Sequence, residues 1–269
     1  MNNFRSHSFF VFVLIISSLL LLFFIYPLAI LIIVGSKGIL SALENKPFLA
    51  SIEITIIISS IAAISAIIFG VPLGYIIARY NFKFKNIIET IIDMPIVIPH
   101  IVVGLMVILA FSSQYGIGPL LHRYGITVID TILGATLAVS YLSSTYTIRV
   151  VESSIKMIDP ELELVSRSLG ASQFRTFFQI IIPNIWRSII NGAILTWARA
   201  VSEAGALFIV AYYVVFNKTT VYPSSVFIYE SYIGLGIIEA VKFAATLAVI
   251  VIGIFILFRI LINLKGNKS

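Results

Sequence analysis

Ionisable side chains are scarce in this chain, with Asp, Glu, Lys and Arg making up 11% of it. Those that fall inside long apolar stretches therefore carry the first chemical information. Arg199 and Glu203 stand four apart in Trp197-Ala-Arg199-Ala-Val-Ser202-Glu203-Ala-Gly205-Ala. That spacing puts both on one face of a helix, where they can pair and offset the cost of burying charge. An ionisable pair inside a membrane faces protein or water, so this face should point away from lipid. It is either structural glue, since a permanent ion pair neutralises the charge an anion would seek, or a polar point on a path. His100 follows two prolines in Asp93-Met-Pro95-Ile-Val-Ile-Pro99-His100-Ile-Val-Val-Gly104. Each proline removes a backbone donor and loosens the helix, which membrane helices accept where neighbours or a polar cavity satisfy the freed carbonyls. The break is either a packing kink or a gate, and His100 either a packed interfacial residue or a substrate contact.

Other chemistry is excluded. The absence of cysteine removes disulfides, thiolate metal ligands and cysteine nucleophiles. His7, His100 and His122 lack metal-ligand spacing, and no G-x-x-x-x-G-K-[ST] phosphate loop occurs. With no nucleophile beside a base and no facing carboxylates, no catalytic residue is assigned. The chain is expected neither to hydrolyse ATP nor to bind a cofactor or metal. A transmembrane proton relay needs titratable groups in series, and only Arg199 and Glu203 lie deep in an apolar stretch. Ser140, Ser143, Ser144, Thr145 and Thr147 supply hydroxyls that either line a passage or satisfy their own helix.

The elements that position these residues follow from composition. With 59% hydrophobic residues and a mean hydropathy of +1.08, the chain is an integral membrane protein. Residues 9–34, 52–78, 87–111, 129–148, 189–215 and 237–262 are long and apolar enough to cross a bilayer. The expected fold is all-α: six transmembrane helices in a single domain over residues 1–269, with both termini on the same side. The first stretch is too long for a signal peptide and ends in no small-residue cleavage site. Positive residues resist translocation, which sets the orientation. With the N-terminus inside, the cytoplasmic side holds Arg5, Arg79, Lys83, Lys85, Arg149, Lys156, Arg167, Arg175, Arg187, Arg259, Lys265 and Lys268, 12 of the 18 Lys and Arg. Outside fall Lys37, Lys46, Arg123, Lys218 and Lys242. The net charge of +6 is thus mostly topology, and no soluble module carries a basic face for nucleic acid.

Between the fourth and fifth stretches lies a cytoplasmic segment, residues 159–183, DPELELVSRSLGASQFRTFFQIIIP. Asp159 can cap free N–H groups, and Pro160 tolerates a first helical position. Glu161 and Glu163 then sit near the positive helix end. Gly170 is suited to a left-handed C-terminal cap, and Ser172 can cap a second helix. Phe174, Phe177, Phe178, Ile181 and Ile182 give that helix an apolar face for the bilayer interface, and Pro183 should break or redirect it. Such a segment either covers its own apolar residues or is made to be gripped by another protein.

The spacing Gly170-Ala-Ser-x-Phe-x-Thr-Phe-Phe-x-Ile-x-Ile-Pro183 resembles the cytoplasmic signature loop of permease subunits of ATP-binding-cassette importers. In that family the loop forms a coupling helix that docks in a groove of the ATPase. The resemblance implies coupling roles for Glu161, Glu163, Leu164, Val165, Ser166, Gly170, Ala171 and Pro183. The family usually carries Glu-Ala-Ala where this chain has Leu164, Val165 and Ser166, with Glu163 one place early. Pro95-x-x-Ile-Pro99-His100 and Ala-Arg199-Ala-x-Ser202-Glu203-x-Gly205-Ala206 resemble the molybdate/tungstate branch, with Ala204 where an aromatic residue is common. Tyr229-Glu230 and Gly234-Leu235, in an outer loop, resemble it too. The resemblance implies a path or gate at Pro95, Pro99, His100, Gly104, Ser202, Glu203 and Gly205. It further implies a homodimer in the cell membrane, two ATPase subunits that hold ATP and Mg, and an extracytoplasmic oxyanion-binding protein. Sulfate, thiosulfate or another small anion is the alternative cargo, and a proton-coupled secondary transporter the alternative class.

Overall fold

The computed structural model describes residues 2–216 and 218–266. Lys268, and the side chains of Arg5 and Lys265 counted above for orientation, lie outside what is described. Helix α1 (Asn2–Gly35) leads through a 3-10 turn into α2 (Ile39–Glu44) and α3 (Lys46–Arg79), whose start is capped by the Asn45 side chain accepting from Phe48 N at 2.9 Å. There follow α4 (Lys85–Val97), α5 (His100–Phe111), α6 (Gly118–Arg123) and α7 (Ile132–Lys156), the last capped by Thr131. The 159–183 segment forms α8 (Glu161–Ser168), α9 (Gln173–Thr176) and a π-helical turn over Phe177–Ile181. It runs on directly into α10 (Ile182–Val201), followed by α11 (Leu207–Val210), strands β1 (Val214–Phe216) and β2 (Thr219–Val221), α12 (Ser224–Leu235) and α13 (Ile237–Gly266).

Four departures from expectation have local causes. The fold is not purely α, because β1 and β2 pair antiparallel with Val214 opposite Val221. The stretch 87–111 is not one helix: Pro99 cannot donate to the ladder, and α4 and α5 are bent by 116° across residues 98–99. Pro183, expected to break the chain, instead sits in the first turn of α10, where its missing N–H costs little. The π turn before it absorbs the misfit, so one helical run continues from Gln173 to Val201. The stretch 189–215 likewise ends as a helix at Val201 and turns.

Helices α3, α7 and α10 pack together at the centre, with α13 and α12 against one side and α1 outermost on α13. One buried cluster joins Ile54, Ile58 and Ala62 of α3 to Val103, Val107, Ala138, Leu142, Leu207 and Val210; a second gathers Val71, Val151, Ile155, Ile181, Ile185 and Ile189. Helices in lipid gain nothing by burying apolar surface, so close fit and interhelical hydrogen bonds hold them. The hydroxyls of α7 serve that end. Thr147 and Thr196 share a hydrogen bond of 2.8 Å, Thr196 donates to the Ser143 carbonyl at 3.0 Å, and Thr145 donates to the Ile92 carbonyl at 2.7 Å.

Among the described residues, three helical stretches are long and apolar enough to cross a membrane, His7–Glu44, Lys46–Arg79 and Ile237–Ile262, or four if the bent α4–α5 pair is one span. Helices α7 and α10, at 25 and 20 residues, are about 37 and 30 Å long, a bilayer's thickness, but they face protein and carry its polar groups.

Candidate functional site

The site is built where two helices stop. Helix α10 ends at Val201 and the chain turns through residues 202–206, so Glu203 lies beyond the helix rather than on its face. Its Oε1 accepts from Ala206 N at 3.0 Å and holds the start of α11. Its Oε2 lies 2.9 Å from Nη2 of Arg199 and 3.1 Å from Nδ1 of His100, both contacts off the hydrogen-bond axis. The same Arg199 nitrogen is 2.7 Å from Nε2 of His100. It also lies 3.0 Å from Nδ1 of the same ring. Exposure grades outward: the Glu203 side chain is 1% exposed, Arg199 20% and His100 42%.

His100 reaches this point because the break at residues 98–99 swings α5 away from α4 and aims its first turn at the end of α10. The two backbones touch closely. A Cβ on Gly205 would lie 2.8 Å from Cβ of His100, and one on Gly104 would lie 2.9 Å from the Ala206 carbonyl. Both glycines are there for contact rather than for backbone freedom.

In front of the triad is a cleft of about 390 Å³ lined by Pro95, Ile96, His100, Leu142, Tyr146, Arg199, Ser202, Ala204 and Gly205. Of the residues expected at a gate, Pro95, His100, Ser202 and Gly205 line it, Glu203 is buried behind it, Gly104 is packed against α11, and Pro99 precedes α5. Arg199, expected only as half of an ion pair, faces the cleft. Tyr146 and Leu142 went unnoticed in sequence, and only the hydroxyl-rich surroundings of Tyr146 hinted at a polar face. Ser143, Thr145 and Thr147 are buried in helix contacts and line no passage here.

A second constellation ties α4 to α7. Arg149 donates to both Asp93 oxygens at 2.8 and 2.5 Å, to the Glu89 carbonyl at 2.9 Å and to Glu152 at 2.6 Å. Lys156 donates to the other Glu152 oxygen at 2.6 Å. Burial pushes the Glu152 carboxyl up, but the hydrogen bonds and charges of Lys156 and Arg149 outweigh it and hold the group below its ordinary range. In the sequence, Arg149 and Lys156 stand out only as cytoplasmic positive charges.

The segment 159–183 has the local geometry its residues imply. Asp159 Oδ1 accepts from Glu161 N at 2.9 Å, Gly170 takes φ +86°, and Ser172 Oγ accepts from Arg175 N at 3.2 Å. A hydroxyl contact of 3.1 Å between Ser166 and Thr176 closes the turn. Glu163 points back to the bundle, only 14% exposed, accepting from Arg79 Nε at 2.5 Å and Tyr75 Oη at 2.8 Å. Arg79 also donates to the Ile158 carbonyl at 2.9 Å. Glu161, Leu164, Val165, Leu169 and Phe174 are exposed, Ala171 is half-buried, and Pro183 is exposed at the start of α10. No group of three or more His, Asp or Glu gathers to hold a metal among the described residues.

These features define a membrane permease, and the chain belongs to the family of binding-protein-dependent transport system inner membrane components, whose pattern matches residues 70–264. Among its relatives are the molybdate/tungstate transport system permease proteins WtpB of Methanocaldococcus jannaschii, 35% identical with 93% of this chain and 96% of that one covered, and of Thermococcus kodakarensis, 32% identical over 93% and 95%. The fold is that of the type I importer permeases. A bacterial alginate ABC transporter, solved in complex with alginate pentasaccharide-bound periplasmic protein, superposes with a TM-score of 0.72 over 98% of this chain and 96% of that one, at 15% identity.

Proposed function

We propose that this chain is the permease subunit of an ATP-driven importer of tetrahedral oxyanions, tungstate or molybdate. The observation that carries the reading is similarity at 32–35% identity, over nearly the full length, to permeases named for those cargoes. The cleft at the broken α4–α5 pair is the path, with Pro95, His100, Ser202 and Gly205 in its wall, Glu203 and Gly104 holding its shape, and Pro99 making the break. Six crossings place both termini in the cytoplasm, with α7 and α10 as the interior pair. Two copies associate, two ATPase subunits carry ATP and Mg, and an extracytoplasmic binding protein delivers the anion.

The 159–183 segment couples the two machines. Exposed Leu164, Val165, Leu169 and Phe174 offer the ATPase an apolar surface, while Glu163 fastens the same helix to α3 through Arg79 and Tyr75. Closure of the ATPase pair draws the two segments together and opens the path outward; their release opens it inward. The test is ATP-dependent tungstate uptake in proteoliposomes holding the chain with its ATPase and binding protein, with molybdate and sulfate as competitors. Block by molybdate but not sulfate is expected. An assembled complex that hydrolyses ATP without moving tungstate would remove the cargo from this reading.

A further inference from the structure

The buried acid and the two half-buried bases are arranged in depth. Glu203 lies at the back of the cleft, capping α11, and Arg199 and His100 stand in front of it. An ion in the cleft therefore meets the guanidinium and the imidazole before it meets the carboxylate. The Ser202 hydroxyl lies 3.4 Å from Nη1 of Arg199 on the same wall. Helix α5 begins at His100, and the first N–H groups of a helix have no partner within it and carry its positive dipole end. The Gly205 backbone packs against this helix start, so closely that a Cβ there would lie 3.4 Å from Ile101 N. Positive ends of discontinuous membrane helices are suited to anionic groups.

We propose that this cleft is a transient anion subsite, in which Arg199 and His100 contact the passing oxyanion, Ser202 lines the wall beside them and Glu203 is a positioning residue. The proposal rests on the transport reading above and specifies which atoms the cargo meets. Glu203 fixes the two bases while weakening the site, because its charge offsets that of Arg199. A weak site is what a path needs, for an anion held tightly would not leave.

The sequence has no cysteine, so Ser202→Cys and, separately, Ala204→Cys each place a single thiol of this chain in the cleft wall. In the purified complex with its ATPase, the labelling rates with anionic and cationic methanethiosulfonate reagents are compared. Each rate is divided by the same reagent's rate with a free thiol in solution, because the two differ intrinsically; a thiol made more reactive by the local field speeds both, so the ratio of the normalised rates reports the field on the incoming ion. The anionic reagent should react about tenfold faster than the cationic one. Tungstate should slow it, and Arg199→Gln with Glu203→Gln on the same background should abolish the preference. Equal rates at both thiols, or a preference for the cation, would overturn the subsite even if the complex imports tungstate. Anionic preference with protection by sulfate or phosphate but not tungstate would keep the subsite and remove the cargo.

Discussion

At the scale of single residues, Glu203 and Glu152 show two uses of a carboxylate. Glu203 is buried with Arg199 as its counter-charge, and breaking such a pair from one side strands a charge in low dielectric, at a cost of about 3–5 kcal/mol. Glu203→Ala should therefore lower the thermal midpoint and abundance of the detergent-solubilised protein, and Arg199→Gln combined with Glu203→Gln should recover much of the loss. A single variant as stable as the parent would remove the structural role. Glu152 has a lowered pKa from Lys156 and Arg149, so its contribution is complete above the unfolded value of about 4.3 and is lost as pH falls through the lower folded value. Stability measured between pH 7 and pH 3 should fall at the acid end. Glu152→Gln should flatten that part of the curve.

At the scale of elements, α8 is held by its ends and offered by its middle. Gly170 has φ +86° with open space where a Cβ would stand, so substitution there acts through the backbone alone. Gly170→Val should strain the turn by about 1–2 kcal/mol and weaken capture of the ATPase in a pull-down, whereas Gly170→Asn should be tolerated better. Normal capture by the valine variant would exclude the turn from docking. Glu163 tests transmission instead. Glu163→Gln weakens a charged contact worth about 1.5–3 kcal/mol between α8 and α3, leaving the exposed apolar face intact. ATPase binding should persist while tungstate moved per ATP falls, and an unchanged ratio would show that the contact carries no motion.

At the scale of the whole molecule, the energetics require a partner. A dianion entering a cell held 100 mV negative inside climbs roughly 5 kcal/mol before any concentration gradient. Arg199 and Glu203 offer no proton relay to supply it, since they are paired with each other and with His100 in one place rather than strung across the bundle. On the proposed reading, that work arrives through the 159–183 segment. In vesicles held negative inside, tungstate should enter only with ATP, and entry without ATP would argue for a different energy source.

Much of this was legible in the residues alone. Membrane class follows from composition, and the caps at Asp159 and Ser172 and the turn at Gly170 form between neighbours two to five residues apart, where backbone chemistry decides. The permease resemblance was carried by equally local patterns. Three things required the tertiary structure. His100 joins Arg199 and Glu203 only because the break before α5 and the turn after α10 aim two helix ends at each other. Glu163 could have faced solvent or bundle, and Arg79 with Tyr75 decided it. Pro183 can end one helix or open another, and the π turn before it in a packed helical run decided between them. In each case the deciding partner lay far along the chain or in the packing around it, and bilayer-spanning helices bring such partners together by how they cross.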